Sequence, residues 1–372
     1  MKNEAFAQFY KESFERLTKA AESYNREIQA DVSPLLSPFR EDFADLNSGG
    51  KLLRGTLVNL GYRIACRLRG KETEVSYSDG LALAFELFQT GVLIHDDVID
   101  KADTRRGKPT ANRRYEARLR DRGIASEEER LHAGISAAVC LGDFGLYLAN
   151  RKIVSDYASD LHFPKLMAYF DDVILDTIRG ELLDVVLPYE LQSPAFGEAE
   201  KRRLREQNVM EIYRLKTARY SIVGPLHLGM ILGGAEQKEM EELDSFAENL
   251  GIAFQIKDDI LGIFADAGIL GKDVGSDIAE KKQTILSYYV ENERPDYAGA
   301  LMEHYGKADV TEETVAFVQS VFRESGALRY AEDRMEELFL KAEERLGRMD
   351  GLAGEDREAL LGLTAYLRDR RK

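Results

Sequence analysis

The sequence predicts an all-α protein: a single-domain bundle of about ten or more helices. Three observations carry the prediction. Proline occurs at only 8 of 372 positions. Apolar residues recur at i, i+3, i+4 and i+7 along most of the chain, the period of a helix with one buried face. No two-residue hairpin turn stands between alternating strands.

Taken in order, residues 4–28 read as a first amphipathic helix. Their start, MKNEAFAQFYKESFERL, is charged throughout and lacks the apolar centre of a secretory signal. A helix over 52–69 follows the Ser48–Gly50 break. The helix over 79–100 is largely apolar through 81–94, as a buried helix requires. Further periodic stretches cover 134–158, 165–187, 198–215, 217–232, 238–264, 310–324 and 326–348. Breaks fall at Ser33–Pro38, Ser48–Gly50, Arg105–Thr110, Leu187–Gly197 and Gly268–Ser276. None is a long linker, so residues 1–372 are expected to form one domain. Its motif-bearing core spans about 45–290, with 113–130, RRYEARLRDRGIASEEER, as a solvated charged insertion.

Composition narrows the function. A content of 44% hydrophobic residues supports a sizeable core. A net charge of −15 argues against nonspecific nucleic-acid binding. No run of about 18 residues is continuously apolar, so no transmembrane segment is expected and the location reads as cytoplasmic. Cys66 and Cys140 lie in apolar stretches and read as two buried free thiols of a reducing compartment.

Two acidic clusters interrupt apolar helices. In Leu93-Ile94-His95-Asp96-Asp97-Val98-Ile99-Asp100, Asp96 and Asp100 share one helical face. Stacked like charges cost a helix roughly 0.2–0.5 kcal/mol per pair, and a hard divalent cation turns that repulsion into binding. Arg105 and Arg106 follow at once, and guanidinium groups match phosphate oxygens in bidentate geometry. Metal-binding acids beside paired arginines point to a diphosphate held from two sides. His95 reads as a structural histidine. The second cluster, Asp258 and Asp259, lies in LGIAFQIKDDILGIFAD with Gln255 one turn earlier. Facing helices could bring both clusters across one cavity. Lys272, Asp277, Lys281 and Lys282 follow in a glycine-containing loop. Gly49-Gly50-Lys51-Leu52-Leu53-Arg54 places a flexible turn and two cations at a helix start. Lys216 lies in an apolar helix, where an ammonium needs an anionic partner.

In order along the chain, GGKLLR (49–54), HDDVIDKADTRRGKPT (95–110), GD (142–143), KT (216–217) and FQIKDD…GK…D…KKQT (254–284) resemble the trans-isoprenyl diphosphate synthases, the polyprenyl synthetase family. The resemblance implies the isoprenoid synthase fold, helices around a deep central cavity, and a magnesium-dependent prenyltransferase with three Mg2+ per active site. It implies that Asp96, Asp97 and Asp100, with Asp258 and Asp259, hold the metal. Arg105, Lys216, Thr217, Gln255, Lys272 and Lys282 would hold or line the site of the allylic prenyl diphosphate. Lys51, Arg54, Gln89, Arg106 and Phe254 would hold isopentenyl diphosphate. A homodimer is the family's usual state. Three positions depart from its pattern: Gln89 stands where histidine is common, Gly262 where the second motif usually ends in aspartate, and Lys281 where glycine is common.

The resemblance also places the cavity floor four and five residues before the first motif. Here those residues are Val92 and Gly91, both small, and the first motif carries no insertion. The floor is then expected near Phe88 or Phe85, a turn or more deeper at about 5 Å per turn. That favours geranylgeranyl diphosphate (C20), with longer polyprenyl or farnesyl products as alternatives. A class I terpene cyclase needs no isopentenyl site, which GGKLLR and the paired arginines argue for. A noncatalytic partner subunit would be expected to have lost an aspartate motif.

Overall fold

The computed structural model describes residues 2–28, 33–265, 275–307, 310–349 and 351–370. It is an all-α bundle. The helices are α1 (Lys2–Glu27), α2 (Ser37–Leu46), α3 (Leu53–Leu68), α4 (Asp79–Ile99), α5 (Ala111–Asp121), α6 (Glu127–Tyr157), α7 (Phe163–Gln192), α8 (Glu198–Ile212), α9 (Gly224–Leu232) and α10 (Gln237–Phe264). They continue with α11 (Ser276–Ala279), α12 (Ile285–Glu293), α13 (Pro295–Met302), α14 (Glu312–Glu324), α15 (Ala327–Gly347) and α16 (Gly354–Arg368). A two-stranded hairpin, β1 (Thr104–Arg105) and β2 (Lys108–Pro109), follows α4.

The packing resolves into two compact units. One comprises Ala7–Ala168 and Pro225–Glu236. Its centre is α4, in which Leu81 through Phe88 are buried without interruption, the mark of a helix covered on every side. Missing side chains let backbones meet around it. A methyl group at Gly91 would stand 2.7 Å from the Gly142 carbonyl oxygen of α6. One at Gly61 would stand 2.0 Å from the carbonyl oxygen of Leu226, and one at Gly229 would stand 1.9 Å from that of Val58. Because this neighbour is backbone, it cannot swing aside. Gly229→Ala is therefore expected to lose about 1–3 kcal/mol or more of stability, read by urea denaturation.

The other unit comprises Met1–Phe6, Tyr169–Gly224 and Gln237–Lys372. Here α10 packs against α15 and against Tyr213–Val223, a stretch wound as a π-helix that joins α8 to α9. The sequence predicts a boundary between two helices at Lys216. The chain instead runs helically from Glu198 to Leu232, and its hydrogen bonds lengthen to i→i+5 over 213–223. Such π segments are rare and occur often at functional sites. Two close approaches seat this one: methyl groups at Gly180 and Gly251 would stand 2.5 Å from Lys216 N and Ala218 Cα.

Other expectations change in detail. The hairpin at 104–109 goes unseen in the sequence because two-residue strands are too short to display alternation. α7 passes the expected break at Leu187 and continues through Pro188 to Gln192. Leu187 and Leu191, both buried, extend its apolar face past the proline. Residues 113–130 form most of α5 and the start of α6, and their charges are clasped rather than loose. Arg118 and Arg114 reach Asp42 and Asp45 of α2 at 2.6 and 2.7 Å, and Arg130 pairs with Glu116 at 3.1 Å. Cys66 is a buried thiol as expected, but Cys140 is exposed, on the outer side of α6. By length and composition α6 carries a window apolar enough to cross a membrane, although no continuous apolar run marks it. One side of α6 meets α4 and α5, while Ile135, Val139, Tyr147 and Val154 are exposed.

Candidate active site

α4 ends in carboxylates. Asp96 and Asp97 occupy its last turn and Asp100 its C-cap, with no basic residue in that turn, so they meet the negative end of the helix dipole. The chain then reverses through Arg106 (φ 54°) and Gly107 (φ 74°), both left-handed as a type I′ turn requires. This reversal returns Arg105 to α4, with Nε 2.5 Å from Asp97 Oδ1 and Nη2 2.7 Å from Asp96 Oδ2. Burial alone would lower the Arg105 pKa. The carboxylates of Asp96, Asp97 and Asp100 outweigh it and hold the guanidinium above its ordinary range.

Beside this pair lies a cleft lined by Ser48, Gly49, Thr90, Asp97, Arg105 and Arg106, among others. It brings the glycine turn and the paired arginines of the sequence reading together. Gly49 takes φ +77°, and Gly50 lies so close to Arg106 that a methyl group there would stand 3.4 Å from Nη2. Lys51 is exposed on the turn and Arg54 half-buried in the first turn of α3.

No side chain of its own caps α3. Glu86, 5% exposed on α4, does so from outside: Oε1 accepts the Gly55 N–H at 2.7 Å, and the carboxylate also takes the Arg54 N–H. Burial pushes the Glu86 pKa up, while these amides and the charges of Arg54 and Arg106 pull against it. Glu86→Ala is expected to cost about 1–3 kcal/mol by leaving the Gly55 amide unanswered. Glu86→Gln, which keeps an acceptor, should cost less; chemical denaturation reads both.

Gln89 and Val92 are half-buried on α4, while Phe85 and Phe88 are fully buried and meet edge to face, 5.5 Å between centroids. Gly91 is spoken for by the α6 backbone, so its small size reflects helix contact and not open space. His95 lies over Gly142, its Nε2 3.0 Å from Val139 O and 3.4 Å from Asp143 Oδ1. The GD pair of the sequence reading thus seats this histidine.

The second cluster lies on α10, in the other unit. Asp258 is 33% exposed at its side chain and meets Arg370 Nη1 at 2.6 Å. The Arg370 guanidinium also covers the Phe254 ring at 5.0 Å. Asp259 is 6% exposed. Its Oδ1 accepts Gln255 Nε2 at 2.7 Å, and its Oδ2 accepts the Tyr213 hydroxyl. Burial, with Asp277 and Asp258 nearby, pushes its pKa up to about 8 against the pull of those two donors. Thr217 Oγ1 donates to Gln255 Oε1 at 2.5 Å. Lys216 finds the anions its position demands on α7, Asp184 at 2.6 Å and Glu181 at 2.9 Å. Lys282 lies 3.0 Å from Glu280 and 3.4 Å from Asp277. A methyl group at Gly262 would stand 2.3 Å from Asp277 Oδ2, so a carboxylate from the next segment fills the space beside that glycine. Lys272 lies outside the described residues.

The donor set of both clusters is carboxylate oxygen, which suits a hard divalent cation. As the side chains stand, no group of three or more His, Cys, Asp or Glu among the described residues is gathered closely enough to hold one. Sequence reasoning missed the parts played by Glu86, Glu181, Asp184, Tyr213, Asp277 and Arg370. Glu181 and Asp184, three apart and flanking Leu182 and Leu183 on α7, and Asp277, within the glycine-containing loop, carried a legible signal; the rest did not.

A model of the polyprenyl synthetase family matches residues 40–322. A geranylgeranyl diphosphate synthase of Sulfolobus acidocaldarius is 27% identical over 99% of this chain and 99% of its own. An octaprenyl diphosphate synthase of Haemophilus influenzae is 29% identical over 94% of this chain and 92% of its own. Among solved structures, a geranylgeranyl pyrophosphate synthase of Corynebacterium glutamicum, complexed with isoprenyl diphosphate and magnesium, superposes with a TM-score of 0.85. It shares 28% identity, over 98% of this chain and 99% of that one.

Proposed function

The chain belongs to the polyprenyl synthetase family, and from that premise we propose that it joins isopentenyl diphosphate head to tail to an allylic prenyl diphosphate, releasing diphosphate and forming geranylgeranyl diphosphate. The observation that carries the reading is the cleft where Gly49, Asp97, Arg105 and Arg106 meet. It joins Gly49 to Asp97, Arg105 and Arg106, 48 residues or more along the chain, in a site with both metal-suited carboxylate and phosphate-suited guanidinium.

Asp96, Asp97 and Asp100, and on α10 the acidic motif formed by Asp258 and Asp259, are what would hold magnesium, three ions in the family's usual count. Bound there, magnesium neutralises the leaving diphosphate. The chain's own residues orient the substrates. Lys216 is steadied by Asp184 and Glu181; by the family's pattern it would serve the allylic diphosphate, as would Arg105, Thr217, Gln255, Lys272 and Lys282. Lys51, Arg54, Gln89, Arg106 and Phe254 form the isopentenyl diphosphate set. Holding both substrates replaces a bimolecular encounter. Apolar walls such as α4's exclude water from the allylic cation. His95 is engaged with α6, so the proton released at the end passes to the departing diphosphate.

The similar proteins carry names from geranylgeranyl to octaprenyl diphosphate synthase, so the C20 reading rests on α4 alone. Val92 leaves room, and Phe88 with Phe85 closes it. Incubating the purified chain with magnesium, isopentenyl diphosphate and each allylic primer, with chromatography of the products, tests the reading. Consumption of an allylic diphosphate without isopentenyl diphosphate would favour a cyclase. The exposed apolar face of α6 supports a homodimer; a monomer by light scattering at micromolar concentration would refute that part.

A further inference from the structure

We propose that Tyr213 is the positioning residue of the second acidic motif: its hydroxyl fixes the buried Asp259, so that Asp258 is the carboxylate of the pair presented to a cation. The inference deepens the functional reading above and rests on it.

Tyr213 is 3% exposed, at the first turn of the π segment that also bears Lys216 and Thr217. Its hydroxyl donates to Asp259 Oδ2 and accepts the N–H of Ile285, 2.7 Å away. Ile285 begins α12, directly after Lys281-Lys282-Gln283-Thr284, and a capping box between Thr284 and Ser287 fixes that turn. On the other side of the carboxylate, Gln255 holds Oδ1 and is held in turn by Thr217. One hydroxyl therefore links the π segment, the acidic motif of α10 and the basic loop before α12. A buried network with every member answered is rigid. Each Asp259 oxygen already accepts one donor and the side chain is 6% exposed, so Asp259 offers an entering cation less open carboxylate surface than Asp258 does. Asp258 is one-third exposed, and an ion pair at such a site is worth little to stability. It can change partners at small cost. Phenylalanine fills the tyrosine's space but neither donates to Asp259 nor accepts from Ile285.

The test compares Tyr213→Phe, Asp259→Asn and Asp258→Asn in the full chain. Calorimetry reads binding of Mg2+ with inorganic pyrophosphate, and steady-state assays read the magnesium dependence and the KM for isopentenyl diphosphate. Tyr213→Phe is expected to weaken the apparent magnesium affinity about tenfold or more, the usual scale for a residue that orients a ligand, with that KM unchanged. Asp259→Asn should lose a similar amount and Asp258→Asn far more. The losses of Tyr213→Phe and Asp259→Asn should not multiply in the double variant, because one acts through the other. An unchanged magnesium affinity in Tyr213→Phe, or multiplying losses, would overturn the proposal. Should Tyr213→Phe fail to fold, equal losses in Asp258→Asn and Asp259→Asn would overturn it instead. If the wild-type chain condenses no prenyl diphosphates but its Mg2+–pyrophosphate binding still depends on Tyr213, the functional reading fails and the positioning role stands.

Discussion

Asp96→Ala is expected to lower turnover at saturating magnesium by at least about 10²–10³-fold, the scale for removing one group that stabilises developing charge. The fold should survive. Asp96 sits in the last turn of α4, where like charges and the helix dipole both work against it. Removing it gives up the 2.7 Å contact with Arg105 Nη2 and relieves repulsion of roughly 0.2–0.5 kcal/mol per pair, while Arg105 keeps its contact with Asp97 at 2.5 Å. Circular dichroism beside steady-state kinetics would separate lost chemistry from lost structure. Near-normal turnover in a folded variant would remove the first cluster from the active site.

Phe88→Ala is expected to lengthen the product by one or more five-carbon units. Phe88 lies one turn before Val92, and its ring closes edge-on against Phe85. Removing it opens space of about one helical turn, roughly 5.4 Å. The substitution carries a structural cost, since deleting a buried phenylalanine side chain typically costs about 3–5 kcal/mol. Assays belong at low temperature, with Phe88→Leu as a milder companion expected to shift the distribution in the same direction. Product chromatography decides the matter, and an unchanged distribution in both folded variants excludes Phe88 as the stop. Phe144 of α6 packs edge-on against Phe43 at 5.6 Å, with 37% of it exposed.

The long helices could be read because burial imposes a period on the sequence. α4 and α10 are apolar runs interrupted by acids, a pattern that stands out against any core helix. α5 escaped notice because its charges mask the period, although its arginines are committed to Asp42 and Asp45. α2 and α16 were missed as well, and so were α11, α12 and α13, each nine residues or fewer. The candidate site divides in the same way. Asp96, Asp97, Arg105 and Arg106 announce themselves by proximity along the chain. Tyr213 could not, because its partners lie 46 and 72 residues away.

The sequence by itself determined the helical class, the two acidic clusters and the order of motifs that define the family, because periodicity and local spacing are properties of the chain. Tertiary structure alone decided what each small or polar residue is for. Gly91 admits the α6 backbone, Asp277 supplies a carboxylate beside Gly262, Lys216 is steadied by two acids of α7, and Asp259 is held by a tyrosine. A glycine signals room without saying who occupies it. A buried polar group demands a partner without naming one, and both answers come only when distant segments pack together.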